Sequence, residues 1–294
     1  MSSGIPAAIA AYVLWGFLPI YWKESAQTAS AVEIICHRVC WSLLICLFLL
    51  WAMRQTGELA KVLRNRRRLL LYTASSLLLT SNWLLFIWVV NAGYIIETSL
   101  AAFINPLISV LFGVVFFRER LFPSQIVASS IVAMGIIYLA VFYGKFPWIA
   151  MVLATTFAIY GLLHKKATEP ILIGLLLETI VVLPLALGFL IWLEVHGGGH
   201  FIHAGLGQSL LLAGAGLLTL PLLLFNFATQ RIPLSLMGLL QYISPTITLL
   251  IGLFLYHEDF PRDRLIGFSI IWLALLLYLA AGALRRLRTK KASL

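Results

Sequence analysis

Asn105-Pro106-Leu107-Ile108-Ser109 opens a stretch that runs to Gly113 and closes on Phe117-Arg118-Glu119. Ser244-Pro245-Thr246-Ile247-Thr248 runs to Gly252 and closes on Tyr256-His257-Glu258. Proline, glycine and glutamate match at one offset of 139 residues, and Asn91 meets Gln230 at the same offset. Upstream, Trp15-Gly16-Phe17-Leu18 faces Tyr160-Gly161-Leu162-Leu163, and Glu33 faces Glu178, both at 145. Apolar segments resemble one another by chance, but aligned prolines and acids are harder to produce that way. The chain therefore reads as two repeats, 1–143 and 144–294.

What those repeats are made of follows from hydropathy. The 294 residues are 62% hydrophobic and 11% charged, with a mean hydropathy of +1.00. A soluble domain carries about 25% charged residues, so a soluble globule is excluded. Ten apolar runs of bilayer length are read: 5–22, 34–53, 69–90, 95–117, 126–143, 146–163, 171–193, 210–228, 234–256 and 265–284. Asn91-Ala92-Gly93, Phe122-Pro123-Ser124, Gly144, Glu169-Pro170 and Gly197-Gly198-Gly199 punctuate them. The expected fold is an all-α polytopic membrane protein of ten transmembrane helices. The first run lacks a basic flank and a small-residue cleavage site, so it is expected to be retained as a helix.

The net charge of +10 would suit nucleic acid in a soluble protein, but here it sits in short loops. With ten spans, sixteen Lys and Arg fall on the side of both termini and four on the other, with Arg38 inside a span. The basic side is cytoplasmic. Five helices per repeat is an odd number, so the second repeat enters the membrane from the opposite side. Inverted repeats are the construction of many secondary transporters, whose sites lie near the midplane between the halves. Cys36, Cys40 and Cys46 share one apolar run and suggest a helix face, not a disulfide framework.

Ionisable and amide groups inside a membrane are costly, which makes each a functional candidate. Glu33 and His37, four apart, share a face of the second helix beside Arg38. They fit a gate or an anion-recognising arginine, with His37 as a proton carrier; an interfacial trio with a snorkelling arginine is the plainer reading. Glu178 lies about 10 Å inside the seventh helix at 1.5 Å per residue, placed to bind a proton during transport or to hydrogen-bond a neighbouring helix. Pro106 and Pro245 remove helical hydrogen bonds and free the carbonyls of Ala102 and Gln241. Breaks at corresponding places in two halves point to a transporter site. Asn105 and Gln241 beside them, with Tyr242 and Trp15, complete the expected solute-binding or gating set. Trp83, Trp88 and Phe103 are further candidates for a cavity wall. His196, His200 and His203 read as a solvated loop, and Glu119 and Glu258 as structural partners for Arg118, Arg120 or Arg264. No metal, cofactor or catalytic constellation is read, so an enzyme is not expected.

Tyr12-Val13-Leu14-Trp15-Gly16-Phe17-Leu18-Pro19, His37-Arg38 with Trp41-Ser42, and Ser99 through Leu107 resemble the RarD branch of the EamA permeases, in the drug/metabolite transporter superfamily. So do Glu178, Pro221-Leu222-Leu223-Leu224-Phe225, Gly238-Leu239-Leu240-Gln241-Tyr242 and Pro245. The chain departs at Ala101-Ala102, where the family usually has Gly-Tyr, which leaves the substrate in question. The resemblance implies two EamA repeats and a permease of the bacterial inner membrane. The expected partners are a small organic solute (an amino acid, metabolite or amphiphilic drug), membrane lipids, a proton as coupling ion and a second copy in a homodimer, with no nucleic acid. The competing class is an integral-membrane enzyme or accessory protein acting on a lipid-phase substrate.

Overall fold

The computed structural model describes residues 3–257 except 26, 28, 93, 94 and 168, together with 266, 269, 270, 272–274 and 276. The tenth expected span, Glu258, Arg262, Arg264 and the basic C-terminal stretch fall largely or wholly outside the described residues. All regular structure among the described residues is helical. The helices are α1 (Gly4–Ser25), α2 (Ala31–Ala52), α3 (Thr56–Leu63), α4 (Arg66–Asn91), α5 (Ile95–Phe117), α6 (Pro123–Tyr143), α7 (Trp148–Lys166), α8 (Ile171–Val195), α9 (Leu206–Gly214), α10 (Thr219–Thr229), α11 (Leu234–Gln241) and α12 (Ile243–Leu250). Among the described residues, eight spans are long and apolar enough to cross a membrane; the seventh joins α9 to α10 and the eighth joins α11 to α12 and beyond. The apolar α6 is a further helix.

Their surfaces show what surrounds them. Large apolar side chains such as Phe48, Leu70, Val141, Val195 and Phe254 point outward, and polar side chains such as Ser42, Ser75, Asn82, Glu178, Thr219 and Asn226 are buried. That inversion is stable only where the outside is lipid. Between lipid-embedded helices the driving force is close packing and interhelical hydrogen bonding. Asn82 supplies both on α4, donating to the Leu153 carbonyl and Thr156 Oγ1 of α7 at 2.8 Å each. A hydrogen bond of this kind contributes about 0.6 kcal/mol in a bilayer.

The two halves interleave. In the first, α1 lies against α10 and α12, α2 against α8, α4 against α7 and α8, and α5 against α7 and α11. The α5–α11 approach is close enough that a Cβ on Gly238 would lie 2.5 Å from the Pro106 carbonyl oxygen. At the end of α5, both Glu119 oxygens accept backbone N–H groups, from Leu234 at 2.7 Å and Ser235 at 2.8 Å. Glu119 is thus the N-terminal cap of α11, where Pro233 offers no side-chain cap, and not a partner for Arg118 or Arg120.

The helix breaks differ from expectation. Pro106 lies inside a continuous α5. The carbonyl next to the one it frees, that of Phe103, accepts from the Tyr242 hydroxyl of the other half at 3.0 Å. Around Pro245 the helix is interrupted at Tyr242 and loosens into a π-helical turn over Ile251–Leu255. The expected continuous span 210–228 is broken into α9, a 3-10 turn (Ala215–Leu218) and α10. Pro221, four residues beyond Leu217, cannot donate to its carbonyl, which forces the irregular turn.

Candidate functional site

The 3-10 turn brings Thr219 to a small cavity between the halves. Its walls are Arg38, Val39 and Ser42 of α2, Ser76, Leu79, Thr80 and Trp83 of α4, Leu175, Glu178, Thr179 and Val182 of α8, and Thr219 and Leu222 of α10. Irregular backbone at membrane depth is tolerated where it lines such a cavity. Arg38 and Glu178 each lie seven residues past the first residue of their helix, about 10 Å along the axis. A cation and an acid thus lie at matching distances from the first residues of α2 and α8.

Glu178 is enclosed. Oε1 accepts from Ser75 Oγ at 2.5 Å and lies 2.7 Å from His164 Nε2. Oε2 accepts from the Tyr160 hydroxyl at 3.3 Å, and that hydroxyl accepts from Asn226 Nδ2 at 3.1 Å. The Glu178 carbonyl accepts from Ser76 Oγ at 2.7 Å. Tyr160 and His164, one turn apart on α7, lie with ring centroids 4.5 Å apart in a tilted contact. Below them Tyr72 donates to Glu169 Oε2 at 3.0 Å, and Arg68 pairs with Glu169 Oε1 at 2.8 Å. Gly174 makes room for that tyrosine, since a Cβ there would lie 2.5 Å from its ring.

Arg38 is the opposite case. Its guanidinium lies 3.6 Å from the Trp83 ring centroid, and its Nε is buried without a partner. Among the described residues no carboxylate pairs with it, whereas buried Glu33, Glu169 and Glu178 are each paired.

Of the residues singled out from sequence, Arg38, Glu178 and Trp83 line the cavity. Glu33 is buried in the first turn of α2 and ties down the loop between α8 and α9, accepting the His200 backbone N–H at 2.9 Å and lying 2.8 Å from His200 Nδ1. His37 packs against Phe201, tilted, with ring centroids 5.0 Å apart. His203 lies 2.6 Å from Glu194, and His196 bonds its own helix. No metal-binding group of three or more His, Cys, Asp or Glu occurs among the described residues. Trp15 joins an aromatic cluster with Tyr12, Phe157 and Phe225, one ring removed from Tyr160. Asn105 is buried with its Oδ1 unpartnered, and it, Pro106, Gln241, Tyr242 and Pro245 lie outside the cavity wall. His164, Tyr160, Ser75 and Thr219 were not legible as site residues. His164 adjoins Lys165-Lys166 and reads as part of a basic loop end; Pro221 was the one available signal for Thr219.

Residues 2–141 and 146–280 each match the EamA-like transporter family. This chain belongs to that family. It is of the RarD type, being 41% identical to Protein RarD of Streptomyces exfoliatus over 99% of this chain and 92% of the relative. It is 43% identical to Uncharacterized transporter YojE of Bacillus subtilis (strain 168) over 94% of this chain and 93% of the relative. A solved crystal structure with a TM-score of 0.72 covers 94% of this chain and 97% of its own at 16% identity, which shows the shared fold. The chain is accordingly a multi-pass bacterial membrane protein of a transporter family.

Proposed function

We propose that this chain is a secondary transporter that carries a small organic solute through the Arg38–Trp83–Glu178 cavity by alternating access. The observation that carries this reading is the cavity itself, largely apolar with Arg38, Glu178 and several hydroxyls in its wall, and formed by α2 and α4 of one half and α8 and α10 of the other. A site shared between halves opens to either side when the halves rock against one another. The fold behind it is ten helices in two inverted five-helix repeats, 1–143 and 144–294, with both termini cytoplasmic.

Within this scheme Glu178 is the proton-binding group, and His164 is its working partner in place of His37. A proton added to their buried hydrogen bond is exchanged with the cavity when the halves part. Glu33, His37, Asn105, Gln241 and Tyr242 serve the gates, with Pro106 and Pro245 as hinges.

Solute flux into proteoliposomes tests the reading, with amino acids, metabolites and amphiphilic drugs offered with and without a pH gradient. Saturable flux that vanishes in Arg38→Ala and loses its pH response in Glu178→Gln is the expected result. Flux of no solute through folded, inserted protein would return the weight to an accessory or enzymatic role.

A further inference from the structure

Two charged groups share the cavity wall, and they are satisfied very differently. Both Glu178 oxygens are engaged, by Ser75, His164 and Tyr160. Arg38 keeps a buried, unpartnered Nε and lays its guanidinium against the Trp83 face. Leaving a buried charged donor unmade costs several kcal/mol, so the guanidinium is built for a partner the protein does not supply. The rest of the wall is hydroxyls (Thr80, Thr219) and aliphatic side chains (Val39, Leu79, Val182, Leu222).

We propose that the cavity binds an organic monocarboxylate with an apolar body, its carboxylate on Arg38, together with one proton on the Glu178–His164 pair, and that neither ligand is carried alone. This rests on the transporter reading above. The coupling follows from net charge. With Glu178 ionised and His164 neutral, the Arg38 charge is balanced and the empty cavity carries none. The anion alone leaves it at −1 and the proton alone at +1. With both bound it is neutral again. A buried net charge is penalised by its lost solvation, so only the empty and doubly loaded forms cross between states at low cost, and solute and proton travel the same way.

The groups that face the pair are few. Arg38 approaches from α2, Tyr72 from α4 with its ring 6.2 Å from that of His164, and Tyr160 from α7; α10 contributes neutral Asn226. Arg68 and Glu169 neutralise each other behind Tyr72. One arginine and no second cation in the wall match a monoanion, not a phosphate dianion.

Three probes with one apolar body test this: phenylacetate, phenethylamine and 2-phenylethanol, titrated calorimetrically into the purified chain in nanodiscs across pH and in buffers of differing ionisation enthalpy. Phenylacetate alone is expected to bind, with uptake of about one proton and affinity falling up to about tenfold per pH unit once the pair is unprotonated. Arg38→Gln is expected to weaken it at least about tenfold. Glu178→Gln, permanently neutral, is expected to bind it without proton uptake. Preference for phenethylamine, equal binding of all three, absence of phenylacetate binding, or binding without proton uptake would each overturn the proposal, and none of these depends on a variant that folds. Binding as expected with no flux in proteoliposomes would retire the transporter reading and leave the site standing. Flux restricted to solutes lacking a carboxylate would do the converse.

Discussion

Replacing Gly238 with alanine adds one methyl group to a close contact between the halves. Its Cβ would lie 2.5 Å from the Pro106 carbonyl oxygen, 3.1 Å from Val110 Cγ2 and 3.2 Å from Ser109 Cβ. The nearest of these is backbone and cannot rotate away. Ordinary contact begins at 3.4 Å, so α5 and α11 must separate by about 0.9 Å. Overpacking of this kind costs about 1–3 kcal/mol, offset by the gain of up to about 1 kcal/mol for alanine over glycine in a helix. A net loss of about 1–2 kcal/mol is expected. Gly188, exposed on α8 with nothing within 4 Å of an added Cβ, is the control, because Gly188→Ala makes the same chemical change with only the favourable part. At roughly 2–4 °C per kcal/mol, thermal unfolding in detergent by intrinsic fluorescence should place Gly238→Ala about 2–8 °C below the parent and Gly188→Ala at or above it. If the two variants shift alike, α5 and α11 do not meet backbone to backbone and the packing argument fails.

Other expectations concern single side chains. Glu119→Ala removes both acceptors at the start of α11 and should cost about 1–2 kcal/mol, with faster hydrogen exchange at the Leu234 and Ser235 amides; unchanged exchange there would mean that the carboxylate is no cap. Tyr160→Phe strips Asn226 of its acceptor and Glu178 of a donor, so a loss of about 1–3 kcal/mol in denaturant titration is expected, and no loss would show the network to be slack. In a variant with Cys36, Cys40 and Cys46 replaced, a single cysteine at position 65 should react with an impermeant maleimide only after the membrane is opened. Labelling in intact cells would reverse the topology.

The helices were legible in the sequence because each must satisfy its own backbone in lipid, which imposes length and composition locally. The span 95–117 coincides with α5, and the internal repeat is visible because proline, glycine and glutamate recur at a fixed offset. Arg38 and Glu178 stood out for the same reason, since charge in an apolar run needs an explanation whatever it touches. Partners did not. Glu33 and His37 share a helix face, but one holds His200 and the other packs against Phe201, while Glu178 meets His164 fourteen residues away on another helix. Glu119 looked like a partner for its arginine neighbours and instead caps a helix that begins 115 residues later. The short helix α3 and the break before Pro221 were also missed. Sequence alone determined that the chain is built of apolar helices of bilayer length and that Arg38 and Glu178 lie within two of them, because length and composition are imposed residue by residue. Only the tertiary structure decided that Arg38 stays unpartnered while Glu178 is enclosed, because that depends on which helices pack together, and contact between distant segments leaves no periodicity in the chain.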